Sequence, residues 1–212
     1  MMLRTLALTL ALTLTACTDH TEGTVAAEVH DVAPEPATAP DATPQPTAQS
    51  TGLTAPEGAK LVKANGENSS LEWVGAKITK SHPGGFNTFT VEAIVADGSL
   101  TKVQTVIQIS SMFSDTEKLT KHLLDDDFFA SSRFGEVTFT STAITAADGG
   151  HTITGVLDMH GIKKELSFPA TVAVAPDGTA TIDAQFNINR NDWNISYPGR
   201  PDDAIKDLVV IK

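Results

Sequence analysis

From residue 71 to residue 211, apolar and polar residues alternate in run after run. The plainest run sets Ala180, Ile182, Ala184, Phe186 and Ile188 against Thr181, Asp183, Gln185, Asn187 and Asn189. Another sets Leu166, Phe168, Ala170, Val172 and Val174 against Glu165, Ser167 and Thr171. Side chains of an extended chain point to opposite faces in turn, so a period of two marks strands with one buried face. Shorter runs occupy 71–73, 89–95, 103–109, 137–139, 153–159 and 205–211. Turn-forming residues separate them: Asp97-Gly98, Asp148-Gly149-Gly150, His160-Gly161 and Pro176-Asp177-Gly178. The pattern predicts an all-β fold of about eight antiparallel strands, the number that closes a small barrel.

One helix interrupts the series. Ser114-Asp115-Thr116-Glu117 reads as a capping box with Ser114 at the N-cap, and Leu119, Leu123 and Leu124 follow as an apolar stripe. The helix is expected over about 115–124 and ends in Asp125-Asp126-Asp127.

Alternation alone does not say whether the apolar face points into a core or out into lipid. Two Trp and one Tyr are too few for the aromatic girdles of a membrane-spanning barrel. The apolar face is therefore expected to point inward, giving a soluble domain. All nine Phe, both Trp and the Tyr fall between Trp73 and Tyr197, which confines the folded part to 59–212.

The first residues differ in kind. Met1-Met2-Leu3-Arg4, a short Leu/Ala/Thr run and Leu14-Thr15-Ala16-Cys17 have the layout of a secretory signal, and the run is too short to span a bilayer. Leu14 to Cys17 resembles the lipobox of bacterial lipoproteins. That resemblance implies a signal peptide over 1–16 and an acylated Cys17 that anchors the protein to a membrane. Thr18, rather than Asp, after the cysteine points to the outer membrane, with the protein facing the periplasm. Cys17 is the only cysteine, so no disulfide can staple the domain. Residues 18–58 are rich in Ala, Thr, Pro and acid and hold no aromatic residue, Lys or Arg. Such a stretch buries too little apolar surface to offset its ordering entropy, so 17–58 is expected to be a disordered linker. With 15 Lys and Arg against 26 Asp and Glu, nucleic acid is an unsuitable partner.

Catalytic signatures are missing from the sequence. It holds no G-x-S-x-G elbow, phosphate loop or H-E-x-x-H, and its six histidines have no metal-ligand spacing. Neither a catalytic residue nor a metal or other cofactor is expected. Small or polar residues at inward positions (Gly75, Thr105, Ser141, Gly155, Ala170, Ala180 and Ala184) either leave room for a ligand or make space for neighbouring rings. Arg190 continues the inward parity of Phe186 and Ile188, and is a structural partner or a head-group contact. Lys77 continues that of Trp73 and Gly75, and is a head-group contact or marks a strand end in water.

Five motifs in order resemble the YceI-like family, periplasmic lipid-binding proteins with a lipocalin-like barrel. They are Leu71-Glu72-Trp73-Val74-Gly75-Ala76-Lys77 with Gly84-Gly85-Phe86; Lys121-His122-Leu123 leading to Asp127-Phe128-Phe129; Phe134-Gly135-Glu136-Val137-Thr138-Phe139-Thr140-Ser141-Thr142; 154–164; and 186–193. The family often has His at the position of Lys77 and Pro at that of Gly135. The resemblance implies an eight-stranded antiparallel lipocalin-like barrel. Its ligand would be a long isoprenoid or other amphiphilic lipid, such as a polyprenyl chain or isoprenoid quinone. Candidate liners are Trp73, Phe86, Phe89, Ile107, Phe113, Leu123, Phe128, Phe139, Leu157, Phe168, Phe186 and Trp193, each equally able to be ordinary core. The competing expectation is a filled barrel acting as a structural or interaction module in envelope stress.

Overall fold

The computed structural model describes residues 20–32 and 52–212. The signal peptide, Cys17 and 33–51 of the expected linker lie outside the described residues. The chain forms β1 (Val25–Ala26), β2 (Glu28–Asp31), β3 (Lys60–Asn65), β4 (Glu72–Ala76), β5 (Ser81–Phe86), β6 (Phe89–Ala96) and β7 (Ser99–Gln108). After a 3₁₀ turn (Ile109–Ser111) come β8 (Met112–Ser114), the helix α1 (Glu117–Leu124), β9 (Glu136–Ala147), β10 (Gly150–Met159) and β11 (Ile162–Val174). The series continues with β12 (Ala180–Asp183), β13 (Phe186–Asn189), a second 3₁₀ turn (Arg190–Trp193), β14 (Gly199–Arg200), β15 (Asp203–Ala204) and β16 (Leu208–Ile211).

The strands make two main sheets, and neither closes on itself. One has the order β1-β13-β16-β4-β5-β8; the other has the order β12-β11-β10-β9-β7-β6-β3, with β2 also paired to β11. β14 and β15 form a separate small ribbon. The expected single closed sheet of eight strands is thus corrected to two sheets of short strands. Three segments bend from one sheet into the other: β5 into β6 at 87–88, β7 into β8 through 109–111, and β12 into β13 at 184–185. Alternation in the sequence runs through such bends, so it counts the segments but does not show where their ladders break. Followed through the bends, antiparallel pairing passes from β4 to β5, from β6 to β7, and on through β9, β10, β11 and β12. It then runs from β13 to β16 and returns to β4.

The turns follow their residues. At Asp97-Gly98 and His160-Gly161 both residues have positive φ, which lets a two-residue loop match the twist of the strands it joins. The helix begins later than expected. Thr116, not Ser114, is the N-cap: its side chain accepts from the Leu119 N–H at 3.3 Å. Ser114 instead accepts from the Thr116 N–H, shaping the turn before the helix.

The largest correction concerns the linker. Residues 25–31, expected to be disordered, form β1 and β2 on the domain. β1 runs parallel to β13, and β2 antiparallel to β11. Composition argued for disorder because the segment lacks a core of its own; the domain supplies one, since Ala27 and Val29 pack against the main cluster.

Apolar residues gather inside, in two clusters. The larger centres on Trp73, Ile109, Phe139, Ile153, Leu157, Leu166, Phe186 and Trp193. The smaller, Ala93, Val95, Leu100 and Val103 with Val62, Val172, Val174 and Ala180, fills the end where the β6–β7 and β11–β12 turns lie.

Candidate binding cavity

Between the two sheets lies a cavity of about 490 Å³, within the range of roughly 300–1,000 Å³ usual for small-molecule sites. Its wall is built by the inward parity of the strands. Trp73, Phe86, Phe89, Ile107, Leu123, Phe128, Phe139, Leu157, Phe168 and Phe186, all candidates from the sequence, line it. Phe168 stacks on Phe186 with ring centroids 4.3 Å apart, and Phe139 tilts against Phe168 at 5.5 Å. Leu123 and Phe128 bring α1 and the segment after it over one end.

Two candidates are corrected. Phe113 is 41% exposed and lies outside the wall. The 3₁₀ turn at Ile109–Ser111 shifts the parity by one, so Ile109 and Met112 face inward where Ile109 and Phe113 were expected. Phe113 packs instead over Gly85, where a Cβ would come within 2.8 Å of its ring. Trp193 is fully buried but does not reach the cavity; it sits in a 3₁₀ turn, with its indole N–H directed at the Leu157 carbonyl at 3.5 Å.

Neither expected head-group cation is available to a ligand. Arg190 lies at the wall, but its guanidinium donates to the carbonyls of Lys206 (3.1 Å), Ile195 (2.5 Å) and Ile205 (3.4 Å), and to the Asp207 carboxylate (3.3 Å). Burial pulls its pKa below the ordinary value, and Asp207 opposes that shift. This is a structural clamp that gathers 195 and 205–207 around one buried charge. Lys77 is not in the wall. It lies just beyond β4 and is ion-paired to Asp203, whose carboxyl it holds below its usual range. At Gly135 an added Cβ would meet only the Ser131 carbonyl at 3.9 Å, so the missing proline there affects a loop and not the wall.

The small inward residues divide between both expected roles. Gly75, Thr105, Ala180 and Ala184 line the cavity. Gly155 makes space for a ring, because a Cβ there would stand 2.6 Å from Phe139 Cζ. Ser141 is buried and accepts the Val103 N–H at 2.8 Å. Ala170 is buried core, outside this wall.

Sequence reasoning missed the mouth. Val62, Lys63 and Ala64 of β3 line the cavity, as do 68–72, Thr181 and Ile182 of β12, and Lys212. β3 and β12 are the two ends of their sheet. The cavity therefore opens sideways between two unpaired strand edges. Polar groups gather at this opening: Asn68, Ser69, Ser70, Glu72, Lys212 and Lys63, the last ion-paired to Glu92 at 2.6 Å. The alternation of Val62 and Ala64 was a usable signal; the polar loop carried none.

The histidines stand in separate settings. His82 pairs with Asp115 at 2.8 Å, and together with Lys80 it holds that carboxyl below its ordinary range. His122 pairs with Asp127 at 2.9 Å, between the rings of Phe128 and Tyr197. His160 meets the Trp193 carbonyl at 3.0 Å and packs on Phe134. Among the described residues, no three His, Cys, Asp or Glu side chains could hold a metal together.

Comparison with known proteins agrees with this architecture. A UPF0312 protein of Pseudomonas fluorescens (strain SBW25) is 27% identical over 160 residues, covering 70% of this chain and 82% of its own length. A UPF0312 protein of Pseudomonas putida (strain GB-1) is 31% identical over 104 residues, covering 46% of this chain and 54% of its own length. Among solved structures, Burkholderia cenocepacia BcnA superposes with a TM-score of 0.62 at 23% identity, over 69% of this chain and 94% of BcnA. A polyisoprenoid binding domain from Saccharophagus degradans gives 0.56 at 15% identity, over 72% and 95%. These likenesses concern the fold. The model of the YceI-like domain matches residues 63–212, and the chain belongs to the YceI-like family.

Proposed function

We propose that the cavity binds a long isoprenoid or related amphiphilic lipid, with the apolar tail inside and the polar end at the lateral mouth. The carrying observation is the division of the wall: rings and aliphatic side chains within, hydroxyls, amides and charged groups at the opening. Each methylene that enters such a space contributes about 0.8 kcal/mol, so the tail alone supplies affinity. The deep cation, Arg190, is committed to carbonyls and to Asp207, so the tail end meets no unpaired charge there. The fold shared with a polyisoprenoid binding domain supports the same reading.

In this proposal the protein carries or stores its lipid and does no chemistry on it. An acylated Cys17 would hold it at the bacterial envelope, at the outer membrane and facing the periplasm. The alternative, a filled module, is disfavoured by an open space of this size between the sheets.

The test is to purify the protein from its native membrane, extract it with organic solvent and identify the lipid by mass spectrometry. A stoichiometric isoprenoid or other long-chain lipid is expected. A preparation that carries none, and shows no Trp73 fluorescence change with an isoprenoid quinone or a polyprenol, would sink the proposal.

A further inference from the structure

Residues 20–32 lie outside the stretch matched by the family, 63–212, yet 25–31 pair with β11 and β13, strands that carry cavity wall. The reason lies in how β12 and β13 diverge from β11. β12 pairs only with 171–174, and β13 turns away into the other sheet. That leaves the 164–167 edge of β11 and the outer edge of β13 separated by a seam. The N-terminal segment fills it. A turn at 20–23 leads to Thr24, whose carbonyl accepts from Asn187 Nδ2 and whose hydroxyl accepts from Gln185 Nε2, each at 3.0 Å. β1 then aligns Val25 with Phe186 and Ala26 with Asn187, and the Ala27 N–H donates to the Asn187 carbonyl at 2.9 Å. Past Ala27 the chain crosses to the other sheet, where β2 aligns Val29 with Leu166 and Asp31 with Lys164.

Two of the residues this strap pairs with, Phe186 and Leu166, are cavity wall. Phe168, stacked on Phe186, lies one residue beyond the end of the β2 ladder. The strap thus covers the wall from outside where its two sheets are farthest from sharing a ladder. Its hold is light. Only Ala27 and Val29 pack on the core, Val25 is 60% exposed, and Asp31 reaches Lys164 at 2.6 Å with its carboxylate almost wholly in water. The nine-pair ladder of β10 and β11 beside it is continuous.

We propose that the segment 24–31 is a side gate of the cavity: docked, it seals the second seam; displaced, it opens a lateral path between Leu166 and Phe186. The inference rests on the lipid reading above and adds a route to it. A strand that adds to two edges at once can leave both without disturbing the pairing of the other strands, because β1 is an end strand of its sheet and β2 lies off the path of the other.

The experiment uses the chain carrying Cys17→Ser and two introduced cysteines, His30→Cys and Glu165→Cys, at directly opposed positions of β2 and β11. Ubiquinone-10 is bound, and its release into lipid vesicles is followed by recovery of Trp73 fluorescence, in the oxidised and the reduced protein. The disulfide is expected to slow release at least tenfold. The charge reversal Asp31→Lys, which sets like charges on Lys164, is expected to speed it several-fold with an unchanged melting profile of the domain. Equal release rates in the oxidised and reduced protein and in the Asp31→Lys variant overturn the gate and leave the mouth beside β3 as the route. A parent chain that binds no quinone or polyprenol overturns the lipid reading itself, and the gate with it.

Discussion

Two of the places where the described sheets fail to meet are treated differently. Between β11 and β13 the seam is filled by the 24–31 strap, which satisfies both edges and packs Ala27 and Val29 on the core. Between β3 and β12 no pairing forms among the described residues, and the gap is the cavity mouth. There Lys60 spans the opening, donating from Nζ to the Asp177 carbonyl at 2.6 Å. The difference shows that an unpaired edge is tolerable where water or a ligand can meet its backbone groups. Where the wall behind the edge is apolar, a strand must cover it.

Deleting residues 20–31 should break this comparison most strongly. The β11 and β13 edges would lose about six backbone hydrogen bonds at about 0.5–1.5 kcal/mol each, together with the burial of Ala27 and Val29. The bonds alone amount to about 3–9 kcal/mol. The entropy of ordering the strap offsets part of this, so a loss of roughly 3–6 kcal/mol in urea unfolding is expected, with self-association through the bared edges. An unfolding midpoint equal to that of the parent would show the strap to be ornamental. Matched point changes should sharpen the contrast. Val29→Asp places a charge against the core and should cost about 2–3 kcal/mol. Ala64→Asp at the mouth should cost less than about 0.5 kcal/mol, because water reaches that site. Equal costs would mean that the two seams are not distinct environments.

How far the sequence revealed this architecture depends on what each element needs from its neighbours. The inward faces of β9 to β11 are legible because period-two alternation is a local property and those strands are 12, 10 and 13 residues long. Ten of the twelve candidate liners reach the cavity; Phe139, Leu157 and Phe168 do so through this alternation, whereas Leu123 and Phe128 reach it from α1 and the segment after it. Phe113 failed because a single 3₁₀ turn upstream changes parity, and Ile109-Ser110-Ser111 carries no strong signal for one. Trp193 never shared the parity of Phe186 and Ile188; the chain turns at Asn189 and buries its ring in a 3₁₀ turn away from the cavity. Arg190 and Lys77 looked like head-group contacts because their partners, the 195–207 backbone and Asp203, are distant in sequence or belong to irregular chain. The strap was invisible for a related reason: its apolar partners lie more than 130 residues away, at Leu166 and Phe186. Composition judged it by itself and found nothing to fold.

Filling the cavity tests its openness without touching either seam. Ala184 lines it at the bend between β12 and β13, whereas Ala170 is packed core. Ala184→Leu should leave the melting temperature within a few degrees of the parent and lower quinone affinity roughly tenfold, about 1.4 kcal/mol. Ala170→Leu should do the reverse, overpacking at a cost of about 1–3 kcal/mol. If both variants only destabilised, with lipid binding unchanged, the space around Ala184 would not be where the ligand lies.

The smallest expected effect comes from acid, and it should fall on one seam only. The hydrogen bond and charge of Lys164 hold the Asp31 carboxyl below its ordinary value of 3.8. A carboxyl depressed on docking favours the docked strap at all pH above that ordinary value, and the advantage disappears as pH falls through the depressed one. Its partner Lys164 is raised above 10.5 by the same contact, so the complementary loss occurs only in strong base. At the mouth Lys60 donates to a backbone carbonyl, which does not titrate in this range. Protection of the β2 amides, measured relative to their intrinsic exchange rates, should therefore fall below about pH 4, while the protection of β3 stays constant. The pair is exposed, so 0.5 M salt should produce part of the same fall at neutral pH. Strap amides indifferent to both acid and salt would assign the docking to Ala27, Val29 and the backbone ladder alone, with the Asp31–Lys164 pair contributing nothing to the seal.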